Sequence, residues 1–285
     1  MSLNFYDSEL LRYIGDYVPY EIHHPKIFRN MKLCKKFLSD SWCLRIVKPN
    51  KYNKSFWLIL KLAWDEFLPK TVSKVITLDT DILLNQNIEK LWSHFSYFNS
   101  EQVIGGAYDM TDDLRRFMAT PKQPMLGNGI NAGVLLLHLE RMRNNNWSTL
   151  WRNAVDDIGK TDKALRYTEQ KVYNVILYRN PKFFYEIPCE WNIMVTRAAV
   201  VTVCPVAWVV GISNKDNCLI PANSSLRLAG LVHHTADPAP GGLTIESHNN
   251  RAPVKEVKYF RNRDLHTTFT EVYFAFLQMN KYCFF

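Results

Sequence analysis

A chain of 285 residues, 47 % hydrophobic and 22 % charged, has the composition of an ordinary globular protein and is long enough to bury a sizeable core. Its net charge of +8 suits an anionic partner, but most lysines and arginines are scattered among acids; the one dense group (Lys26, Arg29, Lys32, Lys35, Lys36) has helical spacing and no stacking series of aromatics, so no nucleic-acid partner is expected. No membrane segment is expected in this chain, and Asn4, Asp7 and Glu9 stand where a signal peptide would need an apolar run.

Residues 56–68 read as an apolar helix with Trp57, Leu60, Ala63 and Trp64 on one face, stopping before the helix breaker Pro69. Val75-Ile76-Thr77-Leu78 is a short, largely β-branched run bounded by polar residues, the pattern of a buried strand. Residues 88–98 form an amphipathic helix capped by Asn85 or Asn87. Val103-Ile104-Gly105-Gly106 reads as a strand ending in a glycine turn, and 110–125 as a loop or short helix. The segment from Gly127 to Gly133 is a permissive glycine loop feeding the buried strand Val134–Leu137. Helices are expected over 139–158 and 168–178, strands over 183–187 and 231–234, and a helix over 253–279. Alternating strands and helices predict an α/β fold with a largely parallel sheet.

The chemistry concentrates at the end of the first of these strands. In extended backbone, positions i and i+2 share a face. Asp79 and Asp81 therefore present two carboxylates side by side at the carboxyl end of a strand, where open α/β sheets bind ligands. Two such carboxylates need a cation, a proton or a basic partner, and oxygen ligands suit hard ions such as Mg²⁺ and Mn²⁺. The six cysteines are not spaced as a zinc site; one disulfide among Cys189, Cys204 and Cys218 is compatible with an oxidising compartment, and reduced buried thiols are the alternative. Sequons at Asn53, Asn146 and Asn223 point mildly to a lumenal location.

The order of motifs is more specific than any one of them. Pro49-Asn50-Lys51 is followed by Lys61-Leu62 on the apolar helix, Leu68-Pro69, VITLDTDI, and a helix containing Leu91-Trp92. GNGINAGVLLL, Glu169-Gln170, Ile187-Pro188-Cys189-Glu190-Trp191-Asn192 and Val232-His233 complete the series. Over roughly residues 49–275 this order resembles the family 8 glycosyltransferases, and most of all the xylosyltransferase domain of the LARGE-type xylosyl/glucuronyltransferases. The resemblance implies a GT-A fold, a UDP-sugar donor, Mn²⁺, and transfer with retention of configuration to a glycan or glycoprotein acceptor. UDP-xylose is the donor it favours, a glucuronate-terminated glycan the acceptor, and the Golgi lumen the location.

By the same resemblance Asp79, Asp81 and His233 are the metal ligands, with His234 one residue away from the last. Lys61, Thr80, Asn131 and Gly133 face the donor, and Glu169 and Gln170 stand beside the reacting sugar. Trp191 is either an acceptor-side wall or core. The pattern is broken in three places. The family's first strand–helix–strand unit is placed before Met1, with 19–47 as an insertion. Asp237 stands in Thr235–Pro240 where a diphosphate-binding lysine is usual, a difference of about 1.5–3 kcal/mol for a charge-assisted contact. Glu169 replaces a shorter acid. These departures keep two alternatives in view: a glucoside xylosyltransferase, and a catalytically impaired glycosyltransferase-like binding module.

Overall fold

The computed structural model describes residues 61–79, 81–110, 124–161, 168–194, 204, 206–207 and 227–233. The insertion at 19–47, the first part of the helix at 56–68, most of 110–125, the helix at 253–279, Thr80, His234 and the sequons at Asn53 and Asn223 lie outside these residues.

The elements follow the expected order. A 3-10 turn (Lys61–Ala63) runs into the short helix α1 (Trp64–Phe67). Then come β1 (Val75–Leu78), β2 (Ile82–Leu84), helix α2 (Ile88–Trp92) extended by a 3-10 turn (Ser93–Tyr97), and β3 (Ile104–Tyr108). β4 (Ile130–Leu137) leads to helices α3 (Leu139–Asn144), α4 (Trp147–Thr161) and α5 (Thr168–Arg179). The remainder comprises β5 (Phe184–Glu186), a 3-10 turn (Cys189–Trp191), β6 (Ile193–Met194), β7 (Val206–Ala207), β8 (Arg227–Leu228) and β9 (Leu231–His233).

Local chemistry explains the boundaries. Asn87 rather than Asn85 caps α2, its side chain accepting the Glu89 N–H at 2.9 Å. The predicted helix over 139–158 is two helices, because Asn146 takes a left-handed φ of 52° between them. Arg143 gathers the carbonyls that end α1, donating to Asp65, Leu68 and Val72 oxygens at 2.9, 3.1 and 3.0 Å.

The main sheet has the order β1-β4-β3-β5. The expectation of a largely parallel sheet needs correction: β4 runs antiparallel to both neighbours, so β1, β3 and β5 point one way and β4 the other. Two glycine readings change as well. β3 continues through Gly105 and Gly106 to Tyr108, and Gly105 is required because a Cβ there would lie 2.9 Å from Phe98 Cζ. Asn131, Ala132 and Gly133 belong to β4 and not to a loop; the left-handed glycines of this segment are Gly127 and Gly129.

All eight residues of β4 are buried, and their alternation slips once, beside the irregularity in the pairing with β3, so the strand serves two cores. Ile130, Ala132, Leu135 and Leu137 pack with Trp147, Trp151, Ala154, Val155 and Ile158 of α4 and with Val172 and Ile176 of α5. Val134 and Leu136 face the opposite side, with Leu91, Phe95, Phe98, Ile187 and Trp191. Each fully buried large apolar side chain contributes on the order of 1.5–3 kcal/mol. The result is a sheet covered on both faces, with a second sheet, β2-β9-β6, beside the end of β1.

A carboxylate–histidine cluster at the junction of two sheets

The connection from β1 in the first sheet to β2 in the second carries Asp79 and Asp81. The backbone of Asp79 is tied to the main sheet by its N–H, which donates to the Gly133 carbonyl at 2.8 Å. β2 pairs antiparallel with β9 in a register that sets Ile82 opposite His233. That pairing delivers a histidine from late in the chain to the residue next to Asp81. Carboxylate oxygens of Asp79 and Asp81 and a ring nitrogen of His233 all lie within 4.8 Å of one another. His233 Nε2 is 3.3 Å from Asp81 Oδ1 and 3.6 Å from Asp79 Oδ2.

His233 is buried, whereas the two aspartates are about one-third exposed, so the cluster opens toward solvent on its carboxylate side. Its ring is held from behind. Nδ1 faces Asn192 Oδ1 at 3.2 Å, and Asn192 Nδ2 donates to Asn131 Oδ1 at 3.1 Å. Gly133 lies so close to the ring that a Cβ at that position would be 2.1 Å from His233 Cε1. A ring nitrogen directed at two carboxylates needs a cation at that point, either a proton or a metal ion. The donor set of two carboxylates and one imidazole suits a divalent ion of the Mn²⁺ type. A second grouping, Cys189, Glu190 and Cys204, is not a competing centre, because Cys189 and Cys204 form a disulfide. This settles the choice left open among three cysteines.

Lys61 lies on the other side of Asp79, in an ion pair with Asp79 Oδ1 and 3.6 Å from Glu169 Oε1. Burial alone would lower its pKa, but the two carboxylates outweigh burial and raise it, so Lys61 is a fixed positive charge. Its backbone is anchored by the buried Tyr173, whose hydroxyl donates to the Lys61 carbonyl at 2.7 Å, and by Trp147 Nε1, which donates to Leu62 O at 2.8 Å. A cleft of about 200 Å³ runs beside β1, lined by Lys61, Trp64, Ile76, Leu78, Asp79 and Ala132 among others. Glu169 is buried at the start of α5, and burial pushes its carboxyl up to about 7 despite the nearby Lys61. Gln170 Oε1 accepts the Ala132 N–H at 3.3 Å, which holds its amide against β4.

Of the residues singled out in the sequence, the structure brings together Asp79, Asp81, His233, Lys61, Glu169, Gln170, Asn131 and Gly133; Thr80 lies outside the described residues. Trp191 is core, packed so tightly on Gly230 that a Cβ there would lie 2.6 Å from its ring. Sequence reasoning missed Tyr173 and Asn174. The latter accepts from Ile130 N at 2.7 Å and donates to Ile130 O at 3.0 Å, clamping the start of β4 to α5. The available signal was spacing, because Asn174 is four residues after Gln170 on one helix face.

Comparison with known proteins agrees with this geometry. The model of Glycosyl transferase family 8 matches residues 19–204. Xylosyl- and glucuronyltransferase LARGE2s of Gallus gallus is 35 % identical over 150 residues, and LARGE1 of Homo sapiens 32 % over 152. Each match takes in 52 % of this chain and 20 % of the relative, so the chain spans about a fifth of the length of these relatives. Among solved structures, mouse xyloside xylosyltransferase 1 is 25 % identical with a TM-score of 0.42, covering 50 % of this chain and 53 % of that one. The galactosyltransferase LgtC is 18 % identical with a TM-score of 0.43, covering 64 % and 59 %. The mixed α/β order and the breadth of the family match agree: this chain belongs to glycosyltransferase family 8.

Proposed function

We propose that this chain carries a Mn²⁺-dependent, retaining glycosyltransferase site of GT-A type that transfers xylose from UDP-xylose to a glycan or glycoprotein acceptor, one ending in glucuronate by preference. The observation that carries this reading is the convergence of Asp79, Asp81 and His233 at the junction of two sheets. Those three residues would hold the metal, which when bound supplies Lewis-acid neutralisation of the diphosphate, worth several kcal/mol.

The chain's own groups account for the rest. Lys61, fixed by Asp79 and Glu169, adds a positive charge on the side from which a dianionic leaving group is stabilised. Gln170 spends one lone pair of Oε1 on Ala132 N–H and retains the other for the electron-poor face of the sugar. Asn131 and Gly133 would face the donor, in contact with the His233 side of the cluster. Retention follows a same-face path: the acceptor hydroxyl attacks the anomeric carbon as the sugar–phosphate bond breaks, and the departing phosphate oxygen takes the hydroxyl proton. No separate strong base is required. The Cys189–Cys204 disulfide supports an oxidising compartment, in keeping with the Golgi lumen.

Release of UDP from UDP-xylose by the chain, with and without Mn²⁺, tests the proposal. The expected result is Mn²⁺-stimulated release that Asp81→Ala abolishes while circular dichroism stays native. Unchanged turnover in Asp81→Ala would sink the metal assignment. A catalytically silent binding module is the second reading, and the Lys61–Asp79 ion pair favours it, because one ligand carboxylate already has a cationic partner. That reading predicts no UDP binding by calorimetry in the presence of Mn²⁺. Acceptor panels with glucuronide and glucoside ends separate the LARGE-like reaction from a glucoside xylosyltransferase.

A further inference from the structure

The hydrogen-bond chain behind His233 starts from a group whose role is not in question. The Gly133 N–H is a donor, and it points at Asn131 Oδ1 at 2.9 Å. The Asn131 atom is therefore an acceptor. The end of the Asn192 amide that meets this same oxygen at 3.1 Å must then be its NH₂ group, Nδ2. This orientation leaves Asn192 Oδ1, also an acceptor, facing His233 Nδ1 at 3.2 Å. Nδ1 must carry a hydrogen. In the neutral imidazole the lone pair is then on Nε2, which is the nitrogen 3.3 Å from Asp81 Oδ1 and 3.6 Å from Asp79 Oδ2.

We propose that Asn192 is a positioning residue that fixes His233 in its Nδ1–H tautomer and aims the Nε2 lone pair at the point between Asp79 and Asp81. The consequence for a bound ion rests on the metal reading given above; the tautomer does not. Asn192 suits this task because it is fully buried and uncharged. Its backbone is fixed at the end of a 3-10 turn, where its N–H donates to Cys189 O at 3.0 Å. The disulfide from Cys189 to Cys204 ties down the start of that turn. Gly133 packs directly on the ring, where a Cβ would lie 2.1 Å from His233 Cε1, so only a glycine there leaves the ring in place beside the amide. Histidine ligands are typically oriented in this way by an acceptor on the other ring nitrogen, and loss of that acceptor typically weakens metal affinity by about 10–100-fold.

The test uses the full, ¹⁵N-labelled chain without metal, at alkaline pH. Long-range ¹H–¹⁵N correlation spectra identify the tautomer of His233, assigned by difference against His233→Gln. The native chain is expected to show a protonated Nδ1 and an unprotonated Nε2. Asn192→Leu, close to isosteric and without polar atoms, is expected to release the tautomer into a mixture and to weaken Mn²⁺ binding by about 10–100-fold in electron paramagnetic resonance titrations. Asn192→Asp keeps an acceptor on Nδ1 and is expected to retain the tautomer; if the leucine variant does not fold, the native spectrum and the aspartate variant still decide. A native His233 protonated on Nε2, or a folded leucine variant with unchanged tautomer and Mn²⁺ affinity, overturns the proposal. A native chain with the expected tautomer and no affinity for Mn²⁺ upholds the hydrogen-bond relay and overturns the metal reading instead.

Discussion

Gly133→Ala is the sharpest probe of how the backbone shapes this cluster. Gly133 is not one of the left-handed glycines, so alanine meets no conformational objection there; on backbone entropy alone it would gain about 0.4–1 kcal/mol. The objection is steric. The new methyl would lie 2.1 Å from His233 Cε1, 2.6 Å from Nδ1 and 2.9 Å from Nε2, against the 3.4 Å at which ordinary contact begins. β4 cannot yield easily there, being buried along its whole length and tied at the Gly133 carbonyl to the Asp79 N–H. The ring must move instead, by more than 1 Å, which breaks the 3.2 Å contact with Asn192. Overpacking of this kind costs about 1–3 kcal/mol. A buried amide oxygen left without its partner costs about 1–3 kcal/mol more. After the entropy gain, a net loss of roughly 1–5 kcal/mol in urea denaturation is expected. The double-mutant cycle with His233→Ala isolates the cause. In that background the methyl has space, so the cost of Gly133→Ala should nearly vanish, giving a coupling energy above about 1 kcal/mol. Equal costs in both backgrounds would refute the steric argument.

Two further outcomes can be checked by denaturation. Asp65 is buried with no hydrogen-bond partner on Oδ1, and burial pushes its carboxyl from 3.8 to about 6. A raised carboxyl pKa means that the folded state holds the proton more tightly; its penalty is absent below pH 3.8, grows as pH rises, and is complete above about 6. Asp65→Asn should therefore stabilise the chain at pH 7.5 by up to about 3 kcal/mol and little at pH 4, and an equal effect at both would contradict the burial argument. Replacement of Cys204 by Ser opens a crosslink between residues 15 apart in sequence, and a loss of about 3 kcal/mol is expected under non-reducing conditions. If the loss is unchanged under full reduction of both proteins, it does not come from the disulfide.

Most elements were legible in the sequence because their information is local. The β-branched run ending at Asp79, the amphipathic spacing of Trp147, Trp151, Val155 and Ile158, and Pro69 after a short helix each state a conformation within a few residues. Register and strand direction are not local quantities. Nothing in Ile130–Leu137 distinguishes a strand running with its neighbours from one running against them, since both burial patterns are continuous. The glycines misled because each answers to a packed side chain and not to a turn: Gly105 to Phe98 of the preceding segment, and Gly133 to His233 far along the chain.

The candidate site divides along the same line. The spacing of Asp79 and Asp81 and the ordered motifs around them were sufficient to identify two carboxylates at a strand end and a histidine to go with them. The pairing of Ile82 with His233 decided that the histidine reaches them. The buried amides of Asn131 and Asn192 decided which way its ring nitrogen faces. Composition and periodicity encode what a residue can do within its own segment; which donors meet is fixed only when separate strands pack and most buried polar atoms find partners.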